Sequence, residues 1–355
     1  MKNTLYSIQV LRGVAALLVV IFHSYIHLEA RNIIPKVPAL VDIGRAGVDI
    51  FFAISGFIMV YISRDSFRMQ GGAQDFLMKR IIRVVPIYWV YSLLMATFLF
   101  FVPHLFSKGK MFSFSHLVAS LLFIPWENNV GDIKPVLGVG WTLNFEMYFY
   151  VVFALLLFFS KRYFLPLLAA ILLSGYSVGL LFAPVSPVYD VITSPMLFEF
   201  LIGCIIGTLY LRRDIVLSGY LCMMLLLVGV LLLILPGIID VGSAIRTIKW
   251  GIPGAILVAG AVFSEKNANI RFHPLLVKLG NSSYSLYLTH IFTVNAVGKI
   301  WETVFGEMYG VFIVVATLAS TIAGYVAYMV IEKPLTSYLN KQYAAMKTNP
   351  AVITT

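Results

Sequence analysis

Apolar runs about as long as a bilayer is thick recur along almost the whole chain, and no other feature constrains the fold as much. A helix needs about 20 predominantly apolar residues to cross a hydrocarbon core of roughly 30 Å. Runs of that kind fall near 6–27, 47–63, 84–102, 141–160, 163–183, 192–211, 216–235, 248–263, 283–300 and 311–331. With 60% of residues hydrophobic and only 12% charged, no stretch is left for a separate soluble domain. Lipid also forces each crossing to satisfy its own backbone hydrogen bonds, which a helix does. Residues 1–340 therefore read as one all-α polytopic membrane domain, a bundle of about ten transmembrane helices, and residues 341–355 as a short polar cytoplasmic tail expected to be disordered. Lys2 ahead of the run from Leu5 to Leu28 imitates a signal peptide, but the run has no small-residue cleavage site and is expected to stay as the first helix.

The net charge of +10 invites a nucleic-acid reading, yet the basic residues are scattered among short loops. Lys and Arg accumulate in cytoplasmic loops, and an even number of crossings with both termini cytoplasmic satisfies that rule. The loops then inside carry Arg64, Arg68, Lys79, Arg80 and Arg83, Lys161 and Arg162, Arg212 and Arg213, Lys266, Arg271 and Lys278, and Lys333. Orientation in a bacterial inner membrane explains the charge without nucleic acid. Between Pro103 and Gly140 the stretch Leu117 to Trp126 is apolar but about half the length of a crossing, so a re-entrant or interfacial segment is expected near 115–127. No internal repeat of the transporter kind is visible. Cys204 and Cys222 both fall inside expected spans and read as small packing residues, and no metal site is expected.

Ionisable residues at membrane depth are costly and usually face a polar cavity. Arg12 and His23 lie in one span, LRGVAALLVVIFH. At about 100° and 1.5 Å per residue they share nearly one helix face, roughly 16 Å apart along the axis. A snorkelling arginine and a hydrogen-bonded core histidine are the plainer alternative, and His27, near the interface, reads that way. GRAGVDIFFAISGFIMVY, Gly44 to Tyr61, supplies the small residues Gly44, Gly47, Ser55 and Gly56 for close helix approach, but packing leaves Asp49 unexplained. In KRIIRVVPIYW, Lys79, Arg80 and Arg83 precede Pro86, Tyr88 and Trp89; these read either as positive-inside residues with an aromatic belt or as a cradle for the phosphates of coenzyme A. WTLNFEMYFY places Trp141 and Glu146 at a helix start, where an acid among apolar residues should be paired or functional. NSSYSLYLTH brings Ser283, Tyr284, Ser285, Tyr287 and His290 into the ninth span; Tyr284 and Ser285 fit cross-helix hydrogen bonds, His290 less easily.

These motifs together resemble the membrane-bound acyltransferase family 3. That family has an arginine and a histidine in the first helix (here Arg12 and His23) and a G-V-D-x-F-F-x-x-S-G-F stretch (Gly47 to Phe57). An R-x-x-R-x-x-P turn (Arg80 to Pro86), a W-x-x-x-x-E-x-Y-F-Y helix start (Trp141 to Tyr150) and a late S-Y-x-x-Y-L-x-H (Ser283 to His290) follow. The resemblance runs from Arg12 to Glu332-Lys333-Pro334, and is closest to the exopolysaccharide and O-antigen (lipopolysaccharide) acetyltransferases. It implies O-acetylation: transfer of an acyl group, acetyl above all, from cytosolic acyl-CoA to a saccharide hydroxyl, with Arg12 and His23 essential.

The chemistry needs a base for a weakly acidic hydroxyl and donors for the developing oxyanion. His23 is the expected base, oriented by Glu146 or Asp49. Lys79, Arg80, Arg83, Tyr88 and Trp89 are the expected donor-binding surface, and Trp141, Ser55, Tyr287 and His290 the substrate-binding one. Direct attack and an acyl-enzyme on Tyr287 or Ser55 both stay open. Partners follow: acyl-CoA, a saccharide acceptor and membrane lipid, with self-association left open. The competing expectation is a transporter or flippase for a glycolipid or anion, using Arg12, His23 and Glu146 on cargo or protons.

Overall fold

A computed structural model describes residues 4–103, 111–239, 245–267, 270–305 and 308–348. Over these residues the chain is helical and has no β-strand beyond one isolated antiparallel bridge, Glu127 with Ile133. In chain order the helices are α1 (Tyr6–Ala30), α2 (Ala46–Ile62), α3 (Gly72–Phe101), α4 (Phe114–Leu121), α5 (Trp141–Leu156), α6 (Lys161–Leu181) and α7 (Pro187–Ile192). They continue as α8 (Leu197–Leu211), α9 (Gly219–Ile238), α10 (Ile252–Asn267), α11 (Pro274–Asn281), α12 (Ser283–Val304), α13 (Tyr309–Ala327) and α14 (Lys333–Thr348).

Nine helices among the described residues are long and apolar enough to cross a membrane. The remaining expected crossing, α12, has 22 residues but is too polar to qualify by composition. It packs against α1 and α13, and its Ser283, Ser285, Thr289 and His290 are buried in protein, where lipid does not penalise them.

Two ends of the bundle can be told apart. At the proximal end the first amides of α1, Tyr6 N and Ser7 N, donate to the Glu265 carboxylate of α10 at 2.9 and 2.8 Å, satisfying donors that a helix start leaves free. There too α14 lies on the start of α3, where Lys347 Nζ meets Asp75 Oδ1 at 2.6 Å and the Tyr343 hydroxyl donates to the same oxygen at 3.3 Å. Those contacts carry the helix through Thr348, into the segment expected as tail from 341; residues 349–355 of that segment lie outside the described ones. At the distal end α2 and α5 begin and α1 stops. The short α4 docks there on α3, with Trp89 Nε1 donating to Leu121 O at 2.8 Å. At eight residues it spans only about 12 Å. Its Phe114, with Leu122 and Trp126 just after it, is exposed, as suits an interfacial segment.

Helices α2 and α8 cross at backbone contact. A Cβ on Gly56 would overlap the Phe200 carbonyl, and one on Gly203 would overlap the Ala53 carbonyl. With little hydrophobic drive between helices in lipid, such close approach supplies the packing energy. Phe200 is then stacked on Phe52 and Phe149 at centroid distances of 4.4 and 4.5 Å, each such pair adding about 0.5–1.5 kcal/mol beyond burial. Cys204 and Cys222 are free and buried, packing residues as their positions suggest.

Candidate active site

Between α1, α2, α3, α5 and α12 lies a cavity of about 360 Å³. Six of the expected site residues line it: Arg12, Ser55, Arg80, Arg83, Glu146 and Tyr287. Each comes from a different local cause. Arg12 sits one turn after Gln9, whose Oε1 it meets at 3.5 Å. Arg80 and Arg83 lie three apart on α3 and so share a face. Glu146 follows Trp141 by five residues, enough to turn it from the outer side of α5 to the cavity, where it accepts from Ser55 Oγ at 3.1 Å and from the Tyr150 hydroxyl one turn on.

The cations are balanced only in part. Arg12 interacts with Arg83, Glu332 and Glu146. Glu332 is 1% exposed and stands 3.4 Å from Arg83. Its other oxygen accepts from the Ser285 amide at 3.1 Å and the Ser285 hydroxyl at 2.6 Å. A π-helical turn, Tyr328–Glu332, carries it; such turns often re-aim a side chain at functional sites. Three guanidinium groups thus face two carboxylates, and Arg80 Nε is buried without a hydrogen-bond partner among the described residues. A cavity with surplus fixed positive charge and apolar walls is suited to an anionic ligand.

Tyr287 lines the cavity, its hydroxyl donating to Val139 O at 2.7 Å and lying 2.9 Å from Thr142 Oγ1. Beyond it, one turn along α12, is His290, its ring 4.8 Å from that of His23 and nearly edge-on. His23 Nδ1 is 2.9 Å from Val19 O, and His290 Nδ1 is 3.2 Å from Leu286 O. A carbonyl only accepts, so Nδ1 carries the proton in each ring and Nε2 keeps its lone pair. His290 Nε2 is buried with no partner among the described residues. His23 therefore offers a proton acceptor just past the cavity, not within its walls.

The remaining expected residues lie elsewhere. Neither carboxylate proposed to orient His23 reaches its ring. Asp49, 0% exposed, is held by Arg246 through Nε at 3.0 Å and Nη2 at 2.8 Å, with Glu199 of α8 beside it. Lys79 is bound to Asp75 at 2.6 Å on the proximal surface. Tyr88 is buried against Phe123, Trp89 is tied to α4, and Trp141 stands at the distal end under the Arg246 cation, 5.6 Å from its ring centroid. His27, read as a core histidine, bonds to Asn295 Oδ1 at 3.1 Å; Tyr284 bridges to Val84 O at 2.8 Å and also lines the cavity. Sequence reasoning passed over Gln9, Tyr150, Glu332 and Arg246. Tyr150, a turn after Glu146, and Glu332, an acid closing the apolar run YMVI, were open to notice; Arg246, in a loop, carried no signal. Among the described residues no group of three or more His, Cys, Asp or Glu is placed to hold a metal ion.

Fold and cavity together define a multi-pass membrane protein with a cavity lined by three arginines at depth between its helices. The profile of the family described as "Acyltransferase domain" matches residues 5–329, and the chain belongs to that family. It is 35% identical over 307 residues, 82% of this chain and 90% of the relative, to the exopolysaccharide production protein ExoZ of Rhizobium meliloti (strain 1021). No solved structure matches the chain significantly.

Proposed function

We propose that the protein moves an acetyl group from cytosolic acetyl-CoA to a hydroxyl of a cell-surface exopolysaccharide, from the bacterial inner membrane and with both termini cytoplasmic. The observation that carries this is the cavity itself: Arg12, Arg80 and Arg83 gathered with Glu146, which no cation binds directly, in an acyltransferase-family chain. The name of the similar protein from Rhizobium meliloti supports exopolysaccharide as the acceptor.

The donor enters from the proximal end. Arg80 and Arg83 hold its phosphates as charge-assisted hydrogen-bond partners, and the uncharged pantetheine arm lies along α1 past Arg12. Tyr287 swings off Val139 to let the thioester reach His23. The acceptor hydroxyl then attacks the thioester carbonyl, His23 Nε2 takes its proton, the carbon–sulphur bond breaks as the carbon–oxygen bond forms, and the proton passes to the departing thiolate. Glu146, by accepting from Ser55 and Tyr150 and balancing Arg12, keeps that guanidinium placed for the donor as it passes along α1. Transfer is direct, without an acyl-enzyme.

The test uses membranes containing the protein, radiolabelled acetyl-CoA and de-acetylated exopolysaccharide. Label passes to the polysaccharide with the wild type and not with His23→Ala, while both bind acetyl-CoA. Undiminished transfer by His23→Ala refutes the assignment.

A further inference from the structure

On the side of α5 away from the cavity, at the distal end, is a second cleft of about 200 Å³. Trp141 and Phe145 form one wall, Pro125 and Ile133 of the α4–α5 connection another, and Asn144 with Asp190 of α7 supply its polar groups. Asn144 is the unusual member. It is 7% exposed, yet its amide makes no hydrogen bond among the described residues. Its amide atoms are not sealed inside the protein but open onto the cleft, where an occupant can pair with them. The Asp190 carboxylate likewise has no hydrogen bond or ion pair among the described residues, although its helix is capped independently by Ser186.

The aromatic wall is fixed rather than loose. The Trp141 ring meets Phe145 edge-on at 5.8 Å and lies under Arg246, itself clamped by Asp49. Helix α5 therefore shows two chemistries a residue apart: Thr142, Leu143 and Glu146 face the cavity, while Trp141, Asn144 and Phe145 face the cleft. A rigid aromatic face beside an amide that both donates and accepts, and a carboxylate that accepts, matches a pyranose ring. Such a ring is apolar on its C–H faces and carries hydroxyls around its edge. A lipid tail would leave Asn144 and Asp190 unsatisfied.

We propose that this cleft binds one sugar ring of the saccharide acceptor, a unit adjacent to the one acylated, and so sets the register of the polymer on the enzyme. The assignment rests on the reading of the protein as a polysaccharide acyltransferase. Residues here anchor acceptor and take no part in bond making, so removing them should act on acceptor KM alone.

The experiment measures transfer kinetics with oligosaccharides cut from the producing cell's exopolysaccharide and freed of esters by alkali, for wild type, Asn144→Ala and Asp190→Asn, in detergent and in nanodiscs. The expected result is an acceptor KM raised about tenfold or more in each variant, with acetyl-CoA KM and kcat at saturating acceptor within about twofold. Asp190→Asn, at a less buried position, keeps the test open if Asn144→Ala fails to fold. Transfer by wild type with unchanged acceptor KM in the variants overturns the cleft and leaves the enzymatic reading standing. Absence of transfer by wild type overturns both. Unchanged acceptor KM with fewer co-purified phospholipids identifies the cleft as a lipid site and also overturns the proposal.

Discussion

Glu146 and Asp49 look alike in the sequence, each an acid just inside a span and flanked by apolar residues, and the fold treats them oppositely. Asp49 is 0% exposed and meets its cation side-on through two nitrogens. Glu199 lies beside it, fixed in turn by Thr247 Oγ1 at 3.1 Å, and Gly251 leaves room for that carboxylate. This pair ties α2, α8 and the turn before α10 together. Glu146 has no such cation bound to it; it accepts from two hydroxyls, and faces a cavity whose guanidinium groups are in excess. A buried charge that is fully paired holds helices, whereas one left with neutral partners beside unpaired cations is kept for a ligand.

The comparison can be broken or sharpened by substitution. The largest expected effect is on the structural pair: Arg246→Ala leaves two buried carboxylates without their cation and should cost about 3–5 kcal/mol, read as a lower thermal midpoint in detergent. Adding Asp49→Asn to it should recover part of that loss, since the uncompensated charge goes with it. Glu146→Gln should leave the midpoint alone and lower transfer by about 100-fold, some 2.7 kcal/mol of activation energy. If it instead unfolds the protein, the distinction between the two acids fails. Arg80→Ala with Arg83→Ala should weaken acetyl-CoA binding about tenfold to a hundredfold by titration calorimetry, as expected for lost charge-assisted hydrogen bonds. Ser55→Ala should cost less than about tenfold in transfer, because a hydroxyl that only supports Glu146 contributes one ordinary hydrogen bond; complete loss would point to an acyl-enzyme on Ser55. Smallest of all, Lys79→Ala should leave donor binding within about twofold, since that ammonium is spent on Asp75 at the surface.

Crossings, glycine contacts and the interfacial segment were legible because each is written in local composition. Run length marks a span, and Gly56 marks the place where α8 must come close. Half of the site was legible too: Arg12, Ser55, Arg80, Arg83, Glu146 and Tyr287 are polar residues in spans, and lipid leaves such groups nowhere to go but a shared interior. What stayed hidden was pairing. Nothing local distinguishes Asp49, whose cation comes from Arg246 almost two hundred positions on, from Glu146, whose partners are Ser55 and the neighbouring Tyr150. Nor does helical spacing on α1 reveal that Arg12 shares the cavity with Tyr287 of α12 while His23 lies outside its walls, because that division is set by α12.

That separation is where the account is most exposed. The direct measurement is a structure of the protein, by electron cryomicroscopy in nanodiscs, with a non-hydrolysable thioether analogue of acetyl-CoA. The account predicts phosphates on Arg80 and Arg83, Tyr287 turned off Val139, and the acyl carbonyl within about 4 Å of His23 Nε2, close enough for a hydroxyl between them. An acyl group that stops beside Arg12 with Tyr287 still on Val139 would contradict it.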